Sequence, residues 1–322
     1  MLEAGIPLPT DPGPSFNPCY DDRPGERNLR PKQEFVKSAF VAAFLSYSTA
    51  AAADRPVDPT FLYRRVPEVA PMASDLTTST CRYRPLFGAG DDQTSVVKGV
   101  ARYGVIEVDA NGSCASVQYT KEEQIYFILE GKGVLQYGDE TVPVKPDDFM
   151  YLAPGSSHAL KNNSSNPLRA VLMGYHVSEA SGTDLSGKLQ ISNASLARKQ
   201  VLPGHPASTK YLLLMGGKDS KRDLIAAGQV LTSLFLMEFD ADGTNHPHHH
   251  IKEEEIYLLL DGYGDMVAGG GKSGVEGRHP ATPGDAYFFR LNCTVGFYAD
   301  PRLGDKKARV LAVRSLYPGM KK

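Results

Sequence analysis

Short runs of β-branched and aromatic residues, each broken by Gly, Pro, Asn or Asp, recur along most of the chain. Gly104–Val108, Ile125–Leu129, Phe149–Leu152 and Arg169–Met173 form one series, and Leu234–Phe239, Ile256–Leu260, Tyr287–Phe289 and Arg309–Val313 a second. Runs of this length and composition predict strands. Many short strands separated by turns predict an all-β sandwich or barrel, in which closure removes exposed strand edges. Polar, Gly- and Ser-containing sequence over Ser178–Arg198 predicts a linker. The first seventy residues break the pattern. Met1–Arg30 is rich in Pro, Gly and charge, which predicts a disordered leader. Lys32 and Lys37 then precede the apolar run Ala39–Leu45, which leads to Ala50–Ala53 before Asp54. A basic flank, a short apolar run and an Ala-x-Ala ending is the pattern of a secretory signal peptide. The run is too short to span a bilayer, so no membrane anchor is expected in the mature form.

The two series of strands are copies of each other. Glu107–Ser113 returns as Glu238–Thr244, and at the same offset Lys121–Tyr126 returns as Lys252–Tyr257. Leu129, Gly131 and Gly133 then pair with Leu260, Gly262 and Gly264. Self-similarity of this density marks a duplication. The expected organisation is a leader with signal peptide over 1–53, a first barrel over 54–178, a linker over 179–198 and a second barrel over 199–322.

Composition narrows the function classes. Of the 322 residues 41% are hydrophobic, too many for a disordered chain, and the formal net charge of -2 lacks the basic surplus of a nucleic-acid protein. Export would leave Cys81, Cys114 and Cys293, an odd number that permits one disulfide within the mature chain.

Candidate chemistry concentrates in Gly243–Glu255. Side chains alternate faces along a strand, so His248 and His250 share a face, His249 opposes them, and Glu255 opens the next strand beside them. Two imidazoles and one carboxylate on one side of a metal leave its other positions open, as in many non-haem iron enzymes. Glu253 and Glu254 have identical counterparts in Glu122 and Glu123, and are expected in the turn, kept for folding or solubility. Glu255 differs from its counterpart Gln124 in step with the two histidines.

These residues resemble the cupin superfamily, whose motifs run G-x5-H-x-H-x3-4-E-x6-G and G-x5-P-x-G-x2-H-x3-N. His248, His250, Glu255 and Gly262 fit the first motif, with one residue fewer after Gly243. The second motif of that copy begins at Gly284 and then decays, with Arg290, Asn292 and Val295 at the Pro, Gly and His positions. The first copy shows the reverse: Val117, Tyr119 and Gln124 replace the first-motif ligands, whereas Gly155, His158 and Asn162 match the second. The resemblance implies two tandem cupin jelly-roll barrels over roughly 95–315, the first serving as structure or as a metal-free pocket.

For the second barrel it implies one divalent transition metal (Fe, Mn, Ni, Cu or Zn) on His248, His250 and Glu255. His246, His279 or Cys293 would supply a fourth ligand in place of Val295, or the site would stay a three-residue facial triad. His246 shares the parity of His248 and His250, although Pro247 can displace it. Arg290 is a candidate clamp for a substrate anion, with a surface ion pair as its alternative. His205, beside Pro206 in an expected loop, gives no warrant for catalysis. Two functions follow: a metal-dependent enzyme acting on a small polar, oxygenated or acidic molecule (dioxygenase, decarboxylase or hydrolase), or a non-catalytic binding or storage-like bicupin. A homo-oligomer is compatible with either. Export to the periplasm or beyond, with the cytoplasm as the alternative, predicts a mature chain beginning near Asp54. Intact-mass measurement on protein from its native cell checks it, and bulk protein retaining the apolar run counts against it.

Overall fold

The structure, a computed structural model, describes residues 60–93, 95–177, 188–269 and 277–321, all within one compact unit, Ala52–Lys322. The expected leader and signal peptide, and 179–187 of the expected linker, lie outside the described residues. The eight strands expected from the hydrophobic runs are all present, each within a longer strand. The described fold is all-β apart from three short 3-10 turns.

One six-stranded sheet runs in the order 190–193, Asp148–Leu152, Glu122–Glu130, Leu168–His176, Val100–Val108, Cys81–Gly88. A larger sheet repeats it in the second copy, with Asp285–Phe289, Glu253–Asp261, Ala308–Leu316, Leu231–Phe239 and Thr209–Gly217 in the equivalent order. Each is faced by a three-stranded sheet, Glu140–Val144 with Gly133–Tyr137 and His158–Lys161 in the first barrel, and Gly277–Ala281 with Gly264–Gly269 and Thr294–Ala299 in the second. A disulfide joins Cys81 to Cys114 in the first barrel, and Cys293 is buried in the second.

The barrels exchange edge strands, which departs from the expected boundaries. Phe61–Arg65 precedes the first barrel but pairs antiparallel with Asp285–Phe289 of the second. Gln190–Asn193, inside the expected linker, pairs with Asp148–Leu152 of the first. Equivalent aspartates fasten both arms: Tyr63 Oη donates to Asp285 Oδ1 (3.0 Å) and Asn193 Nδ2 to Asp148 Oδ1 (2.7 Å). The second arm reads as a linker because an edge strand with one wet face carries polar residues, as Gln190, Ser192 and Asn193 do.

Three apolar clusters hold the fold. Two fill the barrels, and the third lies between them, where Phe127, Val171 and Met173 of the first large sheet meet Leu236, Ile256, Leu258 and Phe288 of the second. Central strands therefore bury both faces. In Ile125-Tyr126-Phe127-Ile128, Ile125 and Phe127 face the other barrel while Tyr126 and Ile128 face their own interior.

Two carboxylates cross this interface reciprocally. Glu123 is buried and accepts hydrogen bonds from the backbone N–H groups of Gln229, Val230 and Leu231 (2.7–3.0 Å) and from Tyr151 Oη (3.0 Å). Its counterpart Glu254 is buried and accepts from Gly99 N (2.8 Å) and Lys98 N (3.4 Å) of the first barrel. The expectation that Glu254 belongs to a turn is corrected: it is the second residue of strand Glu253–Asp261 and caps a loop of the other barrel. Buried charge is tolerable there because backbone donors replace water.

Burial raises the Glu254 carboxyl from its ordinary 4.5 to about 6, against the opposing pull of the Gly99 and Lys98 N–H groups. A carboxyl whose folded pKa is raised binds its proton more tightly when folded, so its contribution to stability falls as pH rises from 4.5 through 6. Glu254→Gln removes that dependence. Denaturant unfolding at pH 4 and pH 7 should show the variant gaining roughly 2 kcal/mol relative to the parent over that interval, and parallel pH profiles would refute it.

Candidate metal centre in the second barrel

Strand alternation and one turn build the site. His248 forms an isolated antiparallel bridge with Val295, His250 follows two residues on, and Glu255 lies in strand Glu253–Asp261 opposite Arg314. One ligand atom from each of His248, His250 and Glu255 lies within 4.8 Å of the others. His250 Nε2 and Glu255 Oε2 are 3.1 Å apart, both buried and neither in a hydrogen bond of good geometry. His248 Nδ1 donates to the His246 carbonyl (2.8 Å), which fixes the tautomer and leaves Nε2 with a lone pair. Burial lowers the pKa of His248, keeping the ring neutral as ligation requires. Burial alone would raise the Glu255 carboxyl, but the neighbouring His250, Arg314 and His248 outweigh it and hold it below its ordinary value. The His248 Nε2 lone pair, the His250 ring and an ionised carboxylate converge, a donor set that fits a divalent transition metal.

The three further ligand candidates stand elsewhere. His246 adopts φ 53° and its side chain is exposed, so the parity of the strand breaks there and Asn245 turns inward instead. Asn245 Nδ2 donates to Tyr257 Oη (3.0 Å) and its Oδ1 accepts from Phe297 N (2.9 Å). His279 packs its ring on Phe61 and Tyr287. Cys293 is buried in the barrel core with Sγ 3.5 Å from the Thr294 carbonyl. Among the described residues the convergent group is His248, His250 and Glu255.

Arg290 does not face this site. Its Nη2 donates to Tyr317 Oη (3.5 Å), its guanidinium lies over the Tyr317 ring, and it interacts with Glu254 at the barrel interface. The cationic side chain beside the three candidate ligands is Arg314, which with His248, His250 and Glu255 is among the residues enclosing a cavity of about 90 Å³. His205 also lines it, against expectation: Nδ1 donates to the Asn245 carbonyl (2.8 Å) and the ring meets His248 edge-on at 5.7 Å. The sequence hides both residues. His205 arrives from a loop remote in sequence, and Arg314, two residues before the end of strand Ala308–Leu316, has Gly174 as its first-copy counterpart.

The first barrel shows what replaces the site. Val117 bridges His158 as His248 bridges Val295, so each barrel keeps one histidine of this pair, on opposite sides. His158 Nε2 lies 3.1 Å from Gln124 Oε1 and its Nδ1 3.0 Å from the Ser156 carbonyl. The arginine is exchanged likewise. Arg102 pairs across strands with Gly174, and Ser233 with Arg314. A Cβ on Gly174 would come within 2.8 Å of Arg102 Cγ, so only one of the two strands can carry the bulky residue. Arg102 is fully engaged, donating to both Glu122 oxygens (3.0 and 3.1 Å) and Tyr119 Oη (3.0 Å).

Comparisons with known proteins agree with this architecture. Residues 104–174 match the Cupin_2 cupin-domain family. An uncharacterized protein of Methanocaldococcus jannaschii, MJ1618, is 39% identical over 57 residues, 18% of this chain and 45% of that protein, so the chain spans less than half the length of this curated relative. Among solved structures, a protein from Pseudomonas aeruginosa described as glyoxylate-induced superposes with TM-score 0.64 at 14% identity, covering 84% of this chain and 94% of that one. Lactobacillus farciminis oxalate decarboxylase in complex with formate gives 0.57 at 12%, covering 80% and 86%. The coconut allergen cocosin gives 0.60 at 12%, covering 82% and 87%. At these identities the likenesses show the fold, a tandem pair of jelly-roll barrels. Residues 104–174 thus match a cupin domain, and the described chain has the tandem-barrel fold of a bicupin.

Glu255→Gln should lower metal affinity by more than about tenfold, the smallest loss usual even for an outer partner of a metal ligand. Its melting temperature without metal should stay close to that of the parent. Competition with a chromophoric chelator checks this, and an unchanged affinity would remove Glu255 from the ligand set.

Proposed function

We propose that the second barrel binds one divalent transition metal on His248, His250 and Glu255 and uses it to transform a small polar molecule. The observation that carries this reading is the convergence of the buried, orphaned His250 Nε2 and Glu255 Oε2 beside the lone pair of His248. A metal with three protein ligands supplies Lewis acidity and open positions for water, dioxygen or a substrate oxygen. The chain's own residues shape the rest. Asn245 and Tyr257 form a hydrogen-bonded wall, Val295 closes the side where another cupin has a ligand, and the cavity of about 90 Å³ admits only a few water-sized groups. Oxygen transfer, decarboxylation and hydrolysis are each compatible with this donor set, and iron, manganese, nickel, copper and zinc are its candidate ions.

A second reading, a metal-free binding or storage-like bicupin, draws on the valine at position 295 and on the fold likeness to cocosin. Metal content separates the two. Elemental analysis of protein purified without an affinity tag should find about one transition-metal ion per chain, removed by His248→Ala and kept by His158→Ala. Metal absent from every preparation, or present equally in both barrels, would overturn the enzyme reading.

A further inference from the structure

The two barrels provide an internal comparison of what an arginine does in this fold. In the first, Arg102 has bidentate bonds to Glu122, a third to Tyr119 Oη, and its guanidinium lies 4.2 Å over the Tyr119 ring. Its Nη1 also donates to Asp75 Oδ1 (3.2 Å), so each of its three nitrogens is hydrogen-bonded. In the second, Arg314 occupies the opposite strand of the same cross-strand pair, and the residue equivalent to Glu122 is Glu253. The bonds are looser. Arg314 Nη1 lies 3.4 Å from Glu253 Oε2, while its Nε, buried and 3.9 Å from Glu255 Oε1, makes no hydrogen bond. The tyrosine that helps satisfy Arg102 is replaced by His250, whose Nε2 faces Glu255.

Position gives this under-satisfied cation a use. Arg314 lines the inner cavity with the three candidate ligands, whereas Glu253 lines an outer chamber of about 670 Å³ that also contains His250, Ile251, Lys252 and Leu316. The Glu253–Arg314 pair thus has one member on each cavity, and His250 borders both. Glu253, expected in a turn, is instead the first residue of its strand and directs its carboxylate at Arg314 and, at 3.6 Å, at His250 Nδ1.

We propose that Arg314 is the substrate-binding residue of the second barrel, that the substrate is a small carboxylic acid, and that its carboxylate displaces Glu253 from the guanidinium. The proposal rests on the metal reading for what happens next, not for the binding itself. Guanidinium and carboxylate match in a planar two-point geometry, so an incoming acid can engage Nε and Nη together, which Glu253 does not. The inner cavity takes only the acid head, and the outer chamber accommodates the remainder of the molecule. Glu253 also excludes other ligands while the site is vacant, since a neutral competitor cannot offset the separation of the ion pair.

The test uses purified protein with its metal content measured in each variant, and acetate against its uncharged isostere acetamide as probes in calorimetric titration. Acetate should bind saturably and acetamide at least about tenfold more weakly, the difference usual for losing a charge-assisted bond. Arg314→Gln should weaken acetate binding about tenfold or more, and Glu253→Gln should strengthen it by removing the resident competitor. Opposite signs from two neighbouring substitutions distinguish displacement from general loss of structure, and Arg290→Gln should leave binding unchanged. Acetate binding that persists in folded Arg314→Gln, or weakens in Glu253→Gln, overturns the proposal even if metal is present. Binding that follows Arg314 in protein holding no metal upholds it and overturns the enzyme reading alone.

Discussion

The apolar outer face of each large sheet must be covered, and in this chain the only described cover is the other barrel. Phe127 and Met173 on one side and Ile256 and Phe288 on the other are less than 2% exposed because the two sheets pack back to back. Everything else in the arrangement follows from that contact. Exchanged arms lengthen each sheet, and Glu123 and Glu254 reach across to satisfy backbone donors that the contact has removed from water. An isolated barrel would expose that apolar face to water.

This shared framework explains how the copies diverged in their interiors while staying alike at their interface. Residues that join the barrels are retained in both, including Glu123 with Glu254 and Asp148 with Asp285. Interior residues are free to change in compensating pairs. One histidine survives from each bridged pair, one arginine from each cross-strand pair, and the survivors lie on opposite strands in the two barrels. In the first barrel the result is a closed network, with Arg102, Glu122, Gln124 and His158 linked by hydrogen bonds. In the second, Glu255 stands where Gln124 does, and the extra charge comes with two imidazoles that can share a cation with it.

Much of this was legible in the sequence. Alternation places His248 and His250 together, the duplication sets Glu255 apart from Glu253 and Glu254, and turn residues delimit every expected strand, because each of these features depends on residues near one another in the chain. Where a feature depends on a partner far away, the sequence is silent or misleading. Polar Gln190–Asn193 reads as linker until its partner Asp148–Leu152 is seen, and Glu254 reads as solvated until Gly99 is found against it. Arg290 and Arg314 are equally plausible clamps by composition. Only the fold turns Arg290 toward Tyr317 and Arg314 toward the cavity, since side-chain direction near a strand end is set by bulges and register, such as the shift between Leu231 and Ser233 opposite Arg314, and not by residue type.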